Sequence, residues 1–275
     1  MKNKTDIIEQ QKDFIIEMKA AADNFVTSIN KAEIQAVLLS GSVARGDFFP
    51  KRDENGEDVG MVDLIVMRNN GSFITAEEIF GPNQDSDSPY HCIKIGKVWF
   101  QILFIDFITA EIFSLYEEAR KFSILESKIL YDKNNLYETE LEKIKTNKIE
   151  ECQEALQNKI NYIDYLISDY KTDRWRRRDA FLQLHENLNN ALRMAVCCLY
   201  YINNSYVPAE DRQLYYSLTL SNLPKNYESL IFELKNQNTA SEDDYNRREN
   251  LFRKTILDFI IKSGNYNKCS GFSNS

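Results

Sequence analysis

One stretch constrains the fold more than any other: Val37-Leu-Leu-Ser-Gly-Ser-Val-Ala-Arg-Gly-Asp47, followed by Gly60-Met-Val-Asp-Leu-Ile-Val66. The first part is an apolar run that meets a Gly-Ser pair, so it reads as a strand entering a tight turn. The second reads as a buried strand carrying one carboxylate, Asp63. Glycine in such a turn lets the backbone approach a ligand closely. A serine hydroxyl and the amides after it donate to anionic oxygens. A bare Gly-Ser pair says little; a strand, this turn and a second strand with an embedded acid say much more. The plainer alternative is an ordinary strand-to-helix turn, with Asp63 a capped or edge acid.

The flanking pattern supplies the rest of a small sheet. Phe14, Ile15, Met18, Ala22, Phe25 and Val26 recur at helical spacing, predicting a helix from about Asp6 to Ile29. Ile34 to Leu39 and Met61 to Met67 are expected strands, joined by a polar, charged loop over Phe48 to Gly60. A short helix follows Thr75, its expected cap. Tyr90 to Ile95 and Val98 to Ile105 read as a hairpin around Gly96-Lys97. A helix over Thr109 to Phe122 and a strand over Lys128 to Tyr131 complete this half.

After Asp132 the pattern is helical: Leu136 to about Tyr170, Arg174 to Tyr201, a short helix from Pro208, Tyr227 to Leu234, and Ser241 to Lys262. The tail from Ser263 is rich in Gly, Asn and Ser and is expected to fray. The fold class is therefore α+β. A small mixed β-sheet with flanking helices spans residues 1–133, and an all-α helical bundle spans 134–275.

A net charge of −8 argues against generic binding to nucleic-acid backbone, which needs a basic face. No apolar run is long enough to span a membrane and no signal-peptide core is visible, so a cytoplasmic protein is expected. The five cysteines are odd in number and lack C-x-x-C spacing, which fits reduced thiols. Only two histidines are present, which argues against a His-rich zinc site.

The Gly-Ser turn and the acidic strand resemble the nucleotidyltransferase superfamily, with its DNA polymerase β-like fold. The layout is similar to that of small-molecule and antibiotic nucleotidyltransferases of the kanamycin and streptomycin types, in which a helical domain follows the catalytic one. The resemblance covers about the first half of the chain. It implies attack of a hydroxyl on the α-phosphate of a nucleoside triphosphate, loss of pyrophosphate, and Mg²⁺ to neutralise charge. It places Gly41, Ser42 and Arg45 at the triphosphate and Asp63 at the catalytic metal.

The same resemblance implies a second acid two residues before Asp63 and a third on a neighbouring strand. Met61 and Gln101 stand at those positions. A thioether is a poor partner for a hard cation, and an amide carbonyl carries no charge. Asp106, at the end of its strand, is a candidate replacement ligand or else a helix cap. Asp47, Glu54, Glu57 and Asp58 are further candidates, or solvated loop charges.

In the helical half, Arg174-Trp-Arg-Arg-Arg178 is either a phosphate clamp or a solvated helix start. His185, Asn189 and Arg193 share a helix stripe. With Gln101 and Arg178, His185 and Asn189 are candidates to line a substrate cleft; the alternative is packing within the bundle. Three functions stay open at this point. One is an Mg²⁺-dependent transferase acting on a small-molecule hydroxyl. The second is a weak or inactive nucleotide-binding, regulatory protein on the same fold. The third, by fold analogy alone, is a partner protein of toxin–antitoxin type.

Overall fold

A computed structural model describes residues 4–264. The tail beyond Gly264, including Cys269, lies outside the described residues. The chain divides into two compact units after Lys145.

The first unit opens with α1 (Lys4–Ser28) and β1 (Ile34–Ser40), followed by the single turn α2 (Gly41–Arg45). Next come β2 (Lys51–Arg52), β3 (Asp58–Arg68), α3 (Ala76–Phe80), β4 (His91–Ile95) and β5 (Val98–Asp106). The unit continues with α4 (Ala110–Ser114), α5 (Glu118–Leu125) and β6 (Lys128–Asp132). The sheet runs β4-β5-β3-β1-β6, with β2 paired to β3 off this path. Among the described residues only the β3–β5 pairing is parallel; the others are antiparallel. The sheet is therefore mixed, as the sequence predicts.

Alternation fixes which side of the sheet is core. Val62, Leu64 and Val66 of β3 and Phe100 and Ile102 of β5 are buried with Met18, Ala22 and Phe25 of α1. Phe25 stacks on Phe100 at 4.5 Å between ring centres. Each of these side chains larger than alanine contributes roughly 1.5–3 kcal/mol on burial. Gly60 admits α1 to this face, since a Cβ there would lie 2.5 Å from the Met18 sulfur. On the other face, Met61, Asp63, Trp99 and Gln101 are only partly buried.

The hairpin forms where expected, with Ile95 facing Val98 across Gly96-Lys97 and Gly96 at φ +60°. Thr75 closes a capping box with Glu78. The expected loop before β3 differs: Lys51 and Arg52 pair with Val59 and Asp58, so β3 starts three residues before Met61. The helix expected over Thr109 to Phe122 is two short helices, with the break at Leu115-Tyr116-Glu117. The break lets both Phe113 and Ile124 bury.

The second unit contains most of α6 (Leu136–Leu166), then α7 (Asp169–Arg176), α8 (Phe181–Ile202), α9 (Gln213–Ser217) and α10 (Tyr227–Lys235). It closes with α11 (Glu242–Phe252), a π-helical turn over Arg253–Leu257, and α12 (Asp258–Ser263). The division falls inside α6 rather than at residue 133 because the start of that helix is tied to the sheet unit. Asp132 accepts from the Tyr137 and Glu138 amides at 3.1 and 2.9 Å. Glu140 accepts from the Ala110 amide at 2.8 Å, and Tyr137 and Ile144 are buried. Among the described residues no helix is long and apolar enough to cross a membrane.

The helix expected from Arg174 to Tyr201 is interrupted. Asp179 adopts φ +48°, and the Ala180 amide bonds back to the Trp175 carbonyl at 3.0 Å. This is a Schellman-type stop built on aspartate where glycine is usual. The helix expected at Pro208 starts later, at Gln213.

His91 on β4 gives a pH prediction. Its Nε2 is buried without a hydrogen-bond partner, and the ring lies 5.8 Å from that of Phe80. Desolvation lowers its pKa from the ordinary 6.5, partly offset by the Glu77 charge and a bond to the Gly81 backbone. The unfolded chain then binds the proton more tightly than the folded one, so stability falls as pH drops through about 6.5. Urea unfolding at pH 7.5 and 5.5 is expected to show a smaller loss in His91→Asn than in the native chain.

Candidate functional site

Gly41 sits at φ +67°, the left-handed region that glycine enters without steric cost. A Cβ built on it would lie 2.0 Å from Asp63 Oδ2 and 2.8 Å from its Cγ. The turn and the strand acid therefore touch through the one position that lacks a side chain. Register explains the contact: Ser40, the last residue of β1, pairs with Asp63 on β3.

The motif's second glycine closes the turn. Gly46 at φ +82° caps α2, and the Gly46 and Asp47 amides bond to the Ser42 carbonyl at 2.9 and 3.0 Å. Ser40 makes no side-chain cap to α2. Its hydroxyl lies instead 3.4 Å from that of Ser123 on α5, a link invisible in the sequence. First-turn amides of a helix have no partner within the helix, so they are the donors that face an incoming anion.

The row continues across the sheet. Asp63 pairs with Gln101, and Gln101 with Cys92. Residues paired on adjacent strands share a face, so Ser40, Asp63, Gln101 and Cys92 line up on one side. Met61 pairs with Trp99 on this same face, and the Lys94 amine lies 5.6 Å from the Trp99 ring. Thus the position two residues before Asp63 presents a thioether beside an indole, and the position beside Asp63 presents an amide.

The first replacement ligand expected from sequence, Asp106, lies elsewhere. Asp106 pairs with Arg68, five positions along the strands from the Asp63–Gln101 pair, or about 16 Å at the usual rise. It forms an ion pair with Arg68 there and is not a ligand beside Asp63. Glu57 pairs with Lys97 at 3.1 Å and Asp58 with Arg52 at 3.7 Å. Asp47 sits 3.6 Å from Arg45. Arg45 is only 11% exposed, so it is folded along the turn rather than extended as a free cation.

Among the described residues, no three His, Cys, Asp or Glu side chains converge as a metal site. Magnesium favours near-octahedral oxygen coordination and several carboxylates. A set made of Asp63, the Gln101 amide and the Met61 thioether does not fit a protein-held pair of Mg²⁺ ions.

No protein-family model and no curated protein sequence matches the chain. Among solved structures, a nucleotidyltransferase-like protein from Exiguobacterium sibiricum is similar, with a TM-score of 0.39 and 11% identity over 85% of this chain and 71% of that one. At that distance the likeness says nothing about activity, and the local geometry is what bears on function.

Within the second unit, the polar stripe of α8 is packing. His185 is fully buried. Its Nε2 lies 3.0 Å from the Ser241 carbonyl and its Nδ1 2.6 Å from Arg248. A carbonyl only accepts and a guanidinium only donates, so the ring proton sits on Nε2. Arg248, 1% exposed, also donates to Asn189 Oδ1 at 2.6 Å and to the Leu234 carbonyl at 2.8 Å. His185 is thus part of a buried network centred on Arg248, which corrects the expectation that it lines a substrate cleft; Asn189 joins the network from a half-buried position that also lines a cavity of this unit.

The basic cluster also divides. It ends α7 rather than starting a helix. Arg176 pairs with Glu242 at 2.9 Å and lies over the Tyr245 ring at 5.6 Å. Arg174 and Arg178 lie over Trp175 at 5.7 and 5.6 Å, and Arg178 also donates to the Arg174 carbonyl. Cations at a helix C-terminus favour the helix dipole, which accounts for the cluster without a ligand.

Proposed function

We propose that the first unit binds a nucleoside triphosphate at the Gly41–Ser42 turn, in the manner of a nucleotidyltransferase, with strongly reduced capacity for nucleotidyl transfer. The observation that carries this reading is the packing of Gly41 directly against Asp63, with Gln101 rather than an acid beside it. The turn keeps the features that suit phosphate: a backbone open to close approach, the Ser42 hydroxyl and the first-turn amides. The acids that would hold the reacting metals are reduced to one.

A carboxylate next to a triphosphate repels it. Asp63→Asn is therefore expected to tighten nucleotide binding measured without divalent metal by about tenfold, equivalent to about 1.4 kcal/mol. Weaker metal-free binding in this variant would sink the reading, because the Asp63 carboxylate would then contribute to nucleotide binding rather than oppose it.

The contact between Asp63 and the turn also favours a second reading. Here the chain transfers a nucleoside monophosphate to a small-molecule hydroxyl, with Mg²⁺ needed for turnover. Pyrophosphate release from ATP or GTP, assayed with a panel of aminoglycoside-like acceptors, separates the two. Under the first reading release stays at the background set by Asp63→Ala; acceptor-dependent release above it establishes the second.

A further inference from the structure

The second unit holds a cavity of about 260 Å³ that shares no residue with the Gly41–Asp63 site. Leu192, Val196, Leu214 and Ile231 give it an apolar wall. Four charged side chains also line it: Arg193, Lys235, Glu186 and Glu210. Two of these satisfy each other, since Arg193 donates to Glu210 at 2.7 Å and to Asn190 Oδ1 at 2.8 Å. The Gln213 amide donates to the Pro208 carbonyl at 3.1 Å, and Asn189 belongs to the Arg248 network.

Lys235 and Glu186 remain. Each faces the cavity, from α10 and α8 respectively, yet no hydrogen bond or ion pair joins them to each other. Desolvation, then the charges of Arg248 and Arg193, lower the Lys235 amine below its ordinary value, while Glu186 acts in the opposite sense. The cavity thus offers one cation and one anion over an apolar wall, with the other charged pair already matched.

We propose that this cavity binds a small zwitterion of amino-acid type, its carboxylate on Lys235, its ammonium on Glu186 and its apolar body against Leu192, Val196, Leu214 and Ile231. Both residues are exposed, so they stand at the cavity's open side, where a zwitterion engages the two charges at once and a ligand of single charge engages only one. A cavity of this size suits a ligand smaller than a drug-sized molecule. The site is independent of the nucleotide reading and fails or stands without it.

The test is calorimetric titration of the full chain with L-valine, L-leucine, L-methionine and L-phenylalanine. The half-charged analogues of leucine, 3-methylbutylamine and 4-methylpentanoate, serve as controls. At least one amino acid is expected to bind, and for leucine-type ligands each half-charged analogue is expected to bind at least about tenfold more weakly. Lys235→Gln and Glu186→Gln should each weaken the amino acid by a similar factor. Glu186→Gln preserves side-chain length, Lys235→Gln shortens it by one atom, and circular dichroism checks that the helices persist. Absence of binding by all four amino acids at millimolar concentration overturns the proposal. So does equal binding of 4-methylpentanoate, which would make the cavity a plain anion site.

Discussion

Gly41→Ala is expected to cost about 2–4 kcal/mol and to abolish nucleotide binding. Two costs combine. The left-handed backbone at φ +67° is unfavourable for any residue with a Cβ. The added atom would also stand 2.0, 2.8 and 3.1 Å from Asp63 Oδ2, Cγ and Cβ. Rotating a short side chain does not relieve a contact that reaches its Cβ, so the turn or β3 must move. Removing most of the acid should relieve part of the cost. In an Asp63→Ala background, Gly41→Ala should cost only the backbone share, about 1–2 kcal/mol. The chain has two tryptophans, Trp99 and Trp175, one in each unit. Urea unfolding followed by Trp99 fluorescence, with Trp175 replaced by Phe, reports the first unit. A cost unchanged by Asp63→Ala would mean that the contact is not what constrains Gly41.

Arg248→Met is expected to destabilise the helical unit by about 3–5 kcal/mol. Methionine keeps much of the volume, so the loss is electrostatic rather than a cavity. It strips a donor from His185 Nδ1 and the Leu234 carbonyl in a buried setting, and from Asn189 Oδ1 in a half-buried one. Unsatisfied buried acceptors cost about 1–3 kcal/mol each, whereas replacing both partners by apolar groups can be nearly neutral. Arg248→Met combined with His185→Phe and Asn189→Leu should therefore recover part of the stability that Arg248→Met alone loses. Urea unfolding followed by Trp175, with Trp99 replaced by Phe, measures this. A loss under about 1 kcal/mol for the single variant would remove the network from the account of what holds the bundle.

Legibility in the sequence followed the range of the interaction. The Gly96-Lys97 hairpin, the Thr75 cap and the strand containing Asp63 depend on neighbours a few residues away, and the sequence places them correctly. The stop after Arg176 was hidden because Asp179, not glycine, takes the left-handed position. The domain division was displaced because Asp132 and Glu140 tie the start of a long helix to the sheet unit. Within the site, Gly41, Ser42, Asp63 and Gln101 were visible as motif positions. The misplacement of Asp106 is a matter of register: parallel pairing puts it opposite Arg68, far along the strand from Asp63.

Arg248 was missed because an arginine in a charged helix resembles its solvated neighbours. One clue was present: Tyr245, Arg248 and Phe252 fall three and four residues apart, on a single buried stripe. Charges at such positions are retained only when paired, and the pair lay more than 50 residues away, at His185 and Asn189.

Isothermal titration calorimetry with ATP and GTP, each with and without Mg²⁺, tests the central claim most directly. A nucleotide is expected to bind in both conditions, with Mg²⁺ changing its affinity less than about tenfold, and Gly41→Ala should remove the heat. Absence of binding by either nucleotide, with or without the metal, would contradict the account.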